Sequence, residues 1–160
     1  MSCRNRKRLF FILMLIWMAV IFTFSAKPGD ESEEQSIKAG MAVCHVFVSD
    51  FDNLQEHEQV KMAQEIDYPV RKTAHATEYA VLAGFALGAV TAGCIGWKNV
   101  LAAISIAAIY ASTDEFHQLF VPGRSGRVTD VLIDVCGAIA GILIIWGISK
   151  AVAACRKKEK

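Results

Sequence analysis

The sequence lacks the short motifs by which many metal sites and hydrolases are recognised. It has no CxxC pair, no HExxH motif and no nucleophile elbow. It also lacks an excess of charge, since the formal net charge of +1 argues against a nucleic-acid-binding surface. Its isolated cysteines are typical of small buried hydrophobic residues rather than of a zinc or disulfide framework. They are Cys3, Cys44, Cys94, Cys136 and Cys155.

Apolar residues are what the sequence has in abundance. Of its 160 residues, 54% are hydrophobic and 21% are charged, and the mean hydropathy is +0.35. That mean is too high for an ordinary soluble domain, whereas the charged fraction is too high for a chain made only of membrane spans. The two kinds of residue must therefore be sorted into blocks. The length fits one domain, residues 1–160, with no separate catalytic module.

Four apolar blocks are long enough to cross a bilayer as helices, which takes about 20 mainly apolar residues. The sequence predicts an all-α, polytopic membrane protein with an extracytoplasmic helical loop between its first two spans. The predicted transmembrane helices cover residues 9–26, 70–92, 100–120 and 128–152, and the loop covers 27–69. A cleaved signal peptide is the alternative for the first block, but its length and bulk favour a retained anchor.

The distribution of charge predicts how the chain is oriented in the membrane. Lysine and arginine concentrate before the first span and after the last, and Lys98 lies between the second and third. The positive-inside rule then places both termini in the cytoplasm and the acidic 27–69 loop outside. Ser32 is a candidate cap for one helix of this loop, and a second is expected at about 52–67. Arg124 and Arg127 do not fit the rule and need another explanation.

Polar side chains gather at one end of three predicted helices. At 100° per residue, those at the start of the second helix fall within an arc of about 120°. A charged residue at the bilayer centre costs about 2.5–3.5 kcal/mol, so we expect the groups to face one another or an outward pocket. The candidate ligand-binding residues are Lys72, His75, Glu78, Tyr79, Asp114, Glu115, Gln118, Arg124, Asp130 and Asp134.

Two glycines follow the carboxylates on the fourth helix. Gly137 and Gly141 share a narrow stripe with Asp130 and Asp134. Membrane helices gain little from apolar burial against each other, so close packing needs small residues. We expect this stripe to pack against the alanine face of the third helix.

Two long motifs and their spacing resemble the VanZ-like family of bacterial membrane proteins. They are RKTAHATEYAVLAG and ASTDEFHQLFVPGRSGRVTDVLIDVCGAIAG, and the resemblance covers nearly the whole chain. It implies a multi-pass protein of the bacterial plasma (inner) membrane. It also implies a link to teicoplanin (glycopeptide) resistance, with which the member that names the family is associated. The resemblance defines no reaction.

Two hypotheses assign a ligand to the polar cluster. In the first, the protein binds or modulates an envelope lipid or lipid-linked cell-wall intermediate at the outer leaflet. Arg124, Arg127 and Lys72 would then hold its phosphate. In the second, the protein is an intramembrane enzyme acting on a phosphorylated lipid. The candidate catalytic residues are His75, Glu78, Asp114, Asp130 and Asp134.

Other hypotheses require no ligand in the polar cluster. The charges nearly balance, so a salt-bridge network that fixes helix register is one. A membrane scaffold is another, working through the 27–69 loop with Phe47, Val48 and Phe51 at its surface. Carboxylates and a histidine can also hold a metal. Because basic residues are interleaved with them, we predict no metal and no cofactor. Neither the number of subunits nor the ligand's identity follows from the sequence.

Overall fold

The computed structural model describes residues 2–93 and 95–158, with side chains described up to residue 152. This part of the chain forms six α-helices and no strand, so the all-α prediction is confirmed. A short 3₁₀ turn, Phe51–Asn53, lies between the second and third helices. The helices are α1 Cys3–Ser25, α2 Gly29–Phe47, α3 Glu56–Glu65, α4 Asp67–Val90, α5 Trp97–Gln118 and α6 Val128–Lys158.

Helix α4 is the centre of the bundle and packs against α1, α5 and α6. Small residues line the contacts and let the helices approach closely, as expected for helices packed in a membrane. Ala83 and Ala86 of α4 and Ala103, Ala107 and Ala111 of α5 are all fully buried. Helices α1 and α5 run with their C-terminal ends, and α4 and α6 with their N-terminal ends, toward the polar side.

Two helices, rather than the predicted four, are long and apolar enough to cross a membrane within the described residues. These are Cys3–Ser25, with a mean hydropathy of 2.2, and Val128–Val152, with 2.4. The other two predicted spans correspond to α4 and α5. Polar residues at the start of α4 and the end of α5 lower their hydropathy, so composition alone does not support four spans.

The outer surface of the bundle is strongly apolar. Large side chains such as Ile12 and Ile16 of α1 and Leu143 and Ile144 of α6 are about half exposed. Helix α5 contributes Ile109, which is 67% exposed. A continuous apolar surface of this extent is rare on a soluble monomer and typical of a protein that contacts lipid or a partner.

Helix α1 packs in the bundle core, while its retention as an anchor stays a prediction. Its Ile21 is 1% exposed and packs in the core. The Trp17 indole donates a hydrogen bond to the Glu78 carbonyl oxygen at 2.9 Å, and the Tyr110 hydroxyl donates one to the Met18 carbonyl at 2.6 Å. Removing α1 would leave α4 and α5 without these partners.

Helices α2 and α3 form a hairpin that covers the start of α4. Gly40 lies against Ala63, and the Ser36 hydroxyl hydrogen-bonds to Asp67. Helix α2 begins at Gly29, three residues before the predicted Ser32 cap, because the Gly29 amide donates to the Pro122 carbonyl at 2.9 Å. The helix predicted at about 52–67 is instead a 3₁₀ turn, α3 and the first residue of α4.

The glycine stripe of α6 packs against α4, so the predicted partner on the third helix is wrong. A side chain at Gly137 would meet the backbone of Ala76, and one at Gly141 would meet Ala80. The sequence favours α5 for this contact because the alanine face of α5 is equally small. Ala76 and Ala80 of α4 have the same four-residue spacing as Ala103 and Ala107 of α5, so the sequence does not distinguish the two partners.

We expect Gly137→Ala to destabilise the bundle by about 1–3 kcal/mol, the usual cost of overpacking, because the added methyl group meets the Ala76 backbone. Gly147→Ala is the matched control on the same helix, since a methyl group placed there would have no other part of the described chain within 4 Å. The measurement is the midpoint of thermal unfolding in detergent. Equal midpoints for the two variants would contradict the α4–α6 packing.

Candidate functional site

A polar cavity of about 230 Å³ opens at the end of the bundle where α4 begins and α5 ends. Tyr68, Gln118 and Ser125 contribute polar groups to it, and the backbone bends around it at Gly123, whose φ of +73° suits glycine. Charged and titratable side chains make up most of its wall. They are Arg71, Lys72, His75, Arg124, Arg127 and Asp130.

Two of the four cations in this cavity are paired with carboxylates. Lys72 Nζ lies 2.5 Å from Asp130 Oδ2, which joins the start of α4 to the start of α6. Both side chains of this pair are less than one-fifth exposed. Arg71 Nη2 lies 2.7 Å from Asp67 Oδ2, one turn earlier on the same helix. These pairs leave little net charge on the α4 side of the cavity.

The other two cations, Arg124 and Arg127, have no carboxylate oxygen within 4 Å among the described residues. Arg124 donates from Nε to the Lys27 carbonyl and from Nη2 to the Phe24 carbonyl, each at 3.2 Å. These bonds tie the 119–127 loop to the end of α1. Burial lowers the pKa of Arg124, and the positive charge of Arg71 lowers it further. An anion in the cavity would relieve that repulsion.

His75 lies in the cavity wall with Glu78 one turn below it. Their nearest atoms, His75 Nδ1 and Glu78 Oε2, are 3.6 Å apart, which is longer than a hydrogen bond. His75 Nδ1 is buried and has no hydrogen-bond partner in the described part of the chain. His75 thus lines the cavity, and its Nδ1 faces Glu78 without a hydrogen bond to it.

The remaining predicted residues form a layer beneath the cavity, which is buried except at the partly exposed Glu78. Gln118 bridges it to the wall, since its Nε2 lies 3.1 Å from Asp114 Oδ2 and 3.4 Å from Glu115 Oε1. Glu115 also accepts the backbone N–H of Arg127 at 2.8 Å. Tyr79 and Asp134 are almost fully buried in the same layer.

The structure thus brings all ten predicted ligand-binding residues to one end of the bundle, in two layers. Half of them line the cavity: Lys72, His75, Gln118, Arg124 and Asp130. The other half lie below it: Glu78, Tyr79, Asp114, Glu115 and Asp134. Their functional role stays a prediction.

Sequence reasoning missed some neighbours of this cluster. Tyr68 lines the cavity and carries Lys72 over its ring at 5.4 Å, and Ser25 of α1 is a buried hydroxyl. The spacing of Tyr68 and Lys72, four residues apart on one helix, is a signal that places them on one face. Nothing in the apolar run of α1 singles out Ser25.

The described residues contain no group of three or more His, Cys, Asp or Glu side chains arranged to hold a metal ion. That the protein uses no metal stays a prediction, which rests on the basic residues interleaved with the carboxylates. The donor set is dominated by the carboxylates of the buried layer, and basic side chains are placed between them and the cavity opening.

Comparison with known families assigns the chain. The model of the VanZ/LLP1 family matches residues 10–150. The chain belongs to the VanZ/LLP1 family. Comparisons with curated proteins and with solved structures found no match. Together with the two apolar helices, VanZ/LLP1 membership indicates a membrane protein. Every motif that carried the resemblance lies within the matched range, including both layers of the polar cluster.

The Lys72–Asp130 pair makes a direct prediction about the stability of this VanZ/LLP1 chain. Asp130→Asn leaves Lys72 largely buried without its counter-charge, which costs about 3 kcal/mol for a buried pair. We expect a lower thermal midpoint in detergent, and recovery of most of it in the apolar double variant Lys72→Met with Asp130→Leu.

Glu34→Gln is the control for that experiment, because it removes the exposed pair of Glu34 and Lys38. Exposed pairs add little to stability, so its midpoint should match that of the wild-type protein. If Asp130→Asn behaves like Glu34→Gln, the ion pair does not hold α4 to α6.

Proposed function

We propose that this VanZ/LLP1 protein binds the phosphate group of an envelope lipid, or of a lipid-linked cell-wall intermediate, at the extracytoplasmic face of the plasma membrane. The observation that carries the proposal is the cavity wall in which Arg124 and Arg127 lack a carboxylate partner within the described residues. Guanidinium groups bind phosphate through two parallel hydrogen bonds, and the neighbouring Lys72 adds a point charge.

The proposal includes a multi-pass arrangement in which α1, α4, α5 and α6 all cross the bilayer. The central position of α4 supports this, since a helix covered by three others needs few lipid-facing residues. Helix α5 presents Leu101, Ile109 and Phe116 on the outer surface, all more than half exposed. Lipid contact along the full length of α5 accounts for that apolar face.

We further propose that both termini lie in the cytoplasm. Cys3 Sγ donates to the Ala92 carbonyl at 2.6 Å, so the basic N-terminal segment lies beside the C-terminal end of α4. Lys98 at the start of α5 lies at this same end. Arg124 and Arg127, which do not fit the positive-inside rule, line the cavity. Their role in the cavity explains why they lie on the extracytoplasmic side in this orientation.

The size of the cavity limits what can enter it. Its volume of about 230 Å³ is below the roughly 300–1,000 Å³ of sites that enclose a drug-sized ligand. A phosphate or diphosphate group fits that space, whereas sugars and acyl or isoprenoid chains must remain outside it. The proposed ligand class is therefore defined by its phosphate.

We expect Arg127→Gln to weaken binding of phosphorylated lipid by about 10- to 100-fold, since a hydrogen bond to a charged group contributes about 1.5–3 kcal/mol. The bond from the Arg127 backbone to Glu115 does not need the guanidinium and would remain. The measurement is the amount of phosphorus-containing lipid that co-purifies, together with titration of inorganic phosphate and pyrophosphate in detergent.

Lys61→Gln is the charge-matched control, because Lys61 is exposed on α3 and is not among the residues that line the cavity. It should retain wild-type lipid and phosphate binding. Competition by inorganic phosphate with no co-purified lipid would identify a soluble anion as the ligand. Equal binding by Arg127→Gln and Lys61→Gln would refute the phosphate site.

An intramembrane enzyme acting on the same phosphorylated lipid is the second candidate function. It is favoured by the unsatisfied Nδ1 of His75 in the cavity wall, with Glu78 close enough to orient it after a small movement. Of the other catalytic candidates, Asp130 lies in the cavity wall and is paired with Lys72. Asp114 and Asp134 lie in the layer below and would act only through Glu78 or His75.

If the enzyme hypothesis is right, His75→Gln should abolish release of phosphate from phosphorylated lipid in nanodiscs while leaving lipid binding within about threefold. Gln keeps the polar character of the site but cannot act as a general base. The assay measures free phosphate over time for the wild type and the variant. If the wild-type protein binds lipid but releases no phosphate, the enzyme hypothesis is wrong and the binding proposal stands.

The scaffold hypothesis is weakened by the burial of Phe51, one of its three proposed surface residues. Phe51 is 4% exposed and is buried within the α2–α3 hairpin, so it cannot serve as a contact surface. Of the other two residues named for the scaffold, Phe47 is 81% exposed at the end of α2 and Val48 is half-buried. An exposed Phe47 does not explain why ten polar residues converge at one end of the bundle.

A further inference from the structure

The layer beneath the cavity contains carboxyl groups that lack cationic partners in the described chain. Glu78, Asp114, Glu115 and Asp134 have no Lys or Arg nitrogen within 4 Å among the described residues. Glu115 has two hydrogen-bond donors in their place, Gln118 and the Arg127 amide. The layer as a whole is therefore rich in negative charge if every carboxyl group is ionised.

Asp134 is the extreme member of this layer. Its side chain is 1% exposed, and Oδ1 has no hydrogen-bond partner in the part of the chain that the structure describes. Asp114 is 4% exposed, and its Oδ1 is likewise unsatisfied there. The fully buried Tyr79 hydroxyl, also without a partner among the described residues, belongs to the same layer and interacts electrostatically with both aspartates.

The charged groups that act most strongly on Asp134 lie on α4, α5 and α6, and they are carboxyl groups like its own. Glu78 of α4, Asp114 and Glu115 of α5 and Asp130 of α6 all interact with it electrostatically. Within the described residues, only Asp130 among them is paired with a lysine or arginine, namely Lys72. An ionised Asp134 would thus be buried, unpaired and repelled by its neighbours, which is the least favourable state for a carboxylate.

We propose that Asp134, together with Asp114 and the Tyr79 hydroxyl, forms a buried proton-binding site in the bundle. A proton on Asp134 removes its charge, and with it the repulsion by the neighbouring carboxylates. A metal ion fits less well, because the described residues contain no group of three metal-ligating side chains in a suitable arrangement. This inference does not depend on the ligand proposed for the cavity.

The test is a difference infrared spectrum of the detergent-purified protein at neutral pH, wild type minus Asp134→Asn. We expect the loss of a carbonyl-stretching band of a protonated carboxylic acid, without loss of a carboxylate band. Asp30→Asn is the control, since Asp30 is exposed in the first turn of α2 and should lose a carboxylate band. Loss of a carboxylate band in Asp134→Asn would overturn the proposal.

A second measurement covers the case in which Asp134→Asn fails to fold. Wild-type protein labelled with ¹³C at the aspartate side-chain carboxyl carbon should show a protonated-acid band that shifts to lower frequency on labelling. Asp114→Asn should retain that band if the proton resides on Asp134. A labelled wild-type protein with only carboxylate bands at neutral pH would rule out the site.

Discussion

Gly137 and Gly141 of α6 lie so close to the backbone of Ala76 and Ala80 of α4 that a larger residue at either glycine would collide with it. That contact places Lys72 within 2.5 Å of Asp130 across the helix boundary. Larger residues on the stripe would separate the two helices and break the ion pair. The cavity wall at the start of α4 and the layer beneath the cavity both depend on the close contact of α4 with α6.

The same contact explains how a charged helix can occupy the middle of an apolar bundle. Helix α4 carries the polar residues that lower its hydropathy, and it is enclosed by α1, α5 and α6. Its polar groups therefore meet other protein groups instead of lipid, which limits the cost of burying them. Helices α1 and α6 supply much of the apolar outer surface, and these are the two that meet the criteria for a span.

The sequence predicts the four long helices and the convergence of the polar residues well, because helical periodicity alone assigns each residue to a face. It assigns the glycine stripe to the wrong neighbour, since Ala103 and Ala107 of α5 offer as small a face as Ala76 and Ala80. Periodicity gives the angle of a side chain about its own axis but not which helix stands opposite. The hydrogen bonds from Arg124 to the end of α1 are also not predictable from the sequence, because their acceptors are backbone carbonyls, which every residue has.

The two layers of the cluster constrain each other through their charge. Arg71, Lys72, Arg124 and Arg127 carry four positive charges, while six carboxyl groups surround them: Asp67, Glu78, Asp114, Glu115, Asp130 and Asp134. With all six ionised, the cluster would be net negative, which disfavours binding of an anion in the cavity. The proton proposed on Asp134 makes this net charge less negative. If the cavity binds an anion, as proposed, then that anion and the proton on Asp134 favour each other's binding, because each reduces the repulsion that the other meets.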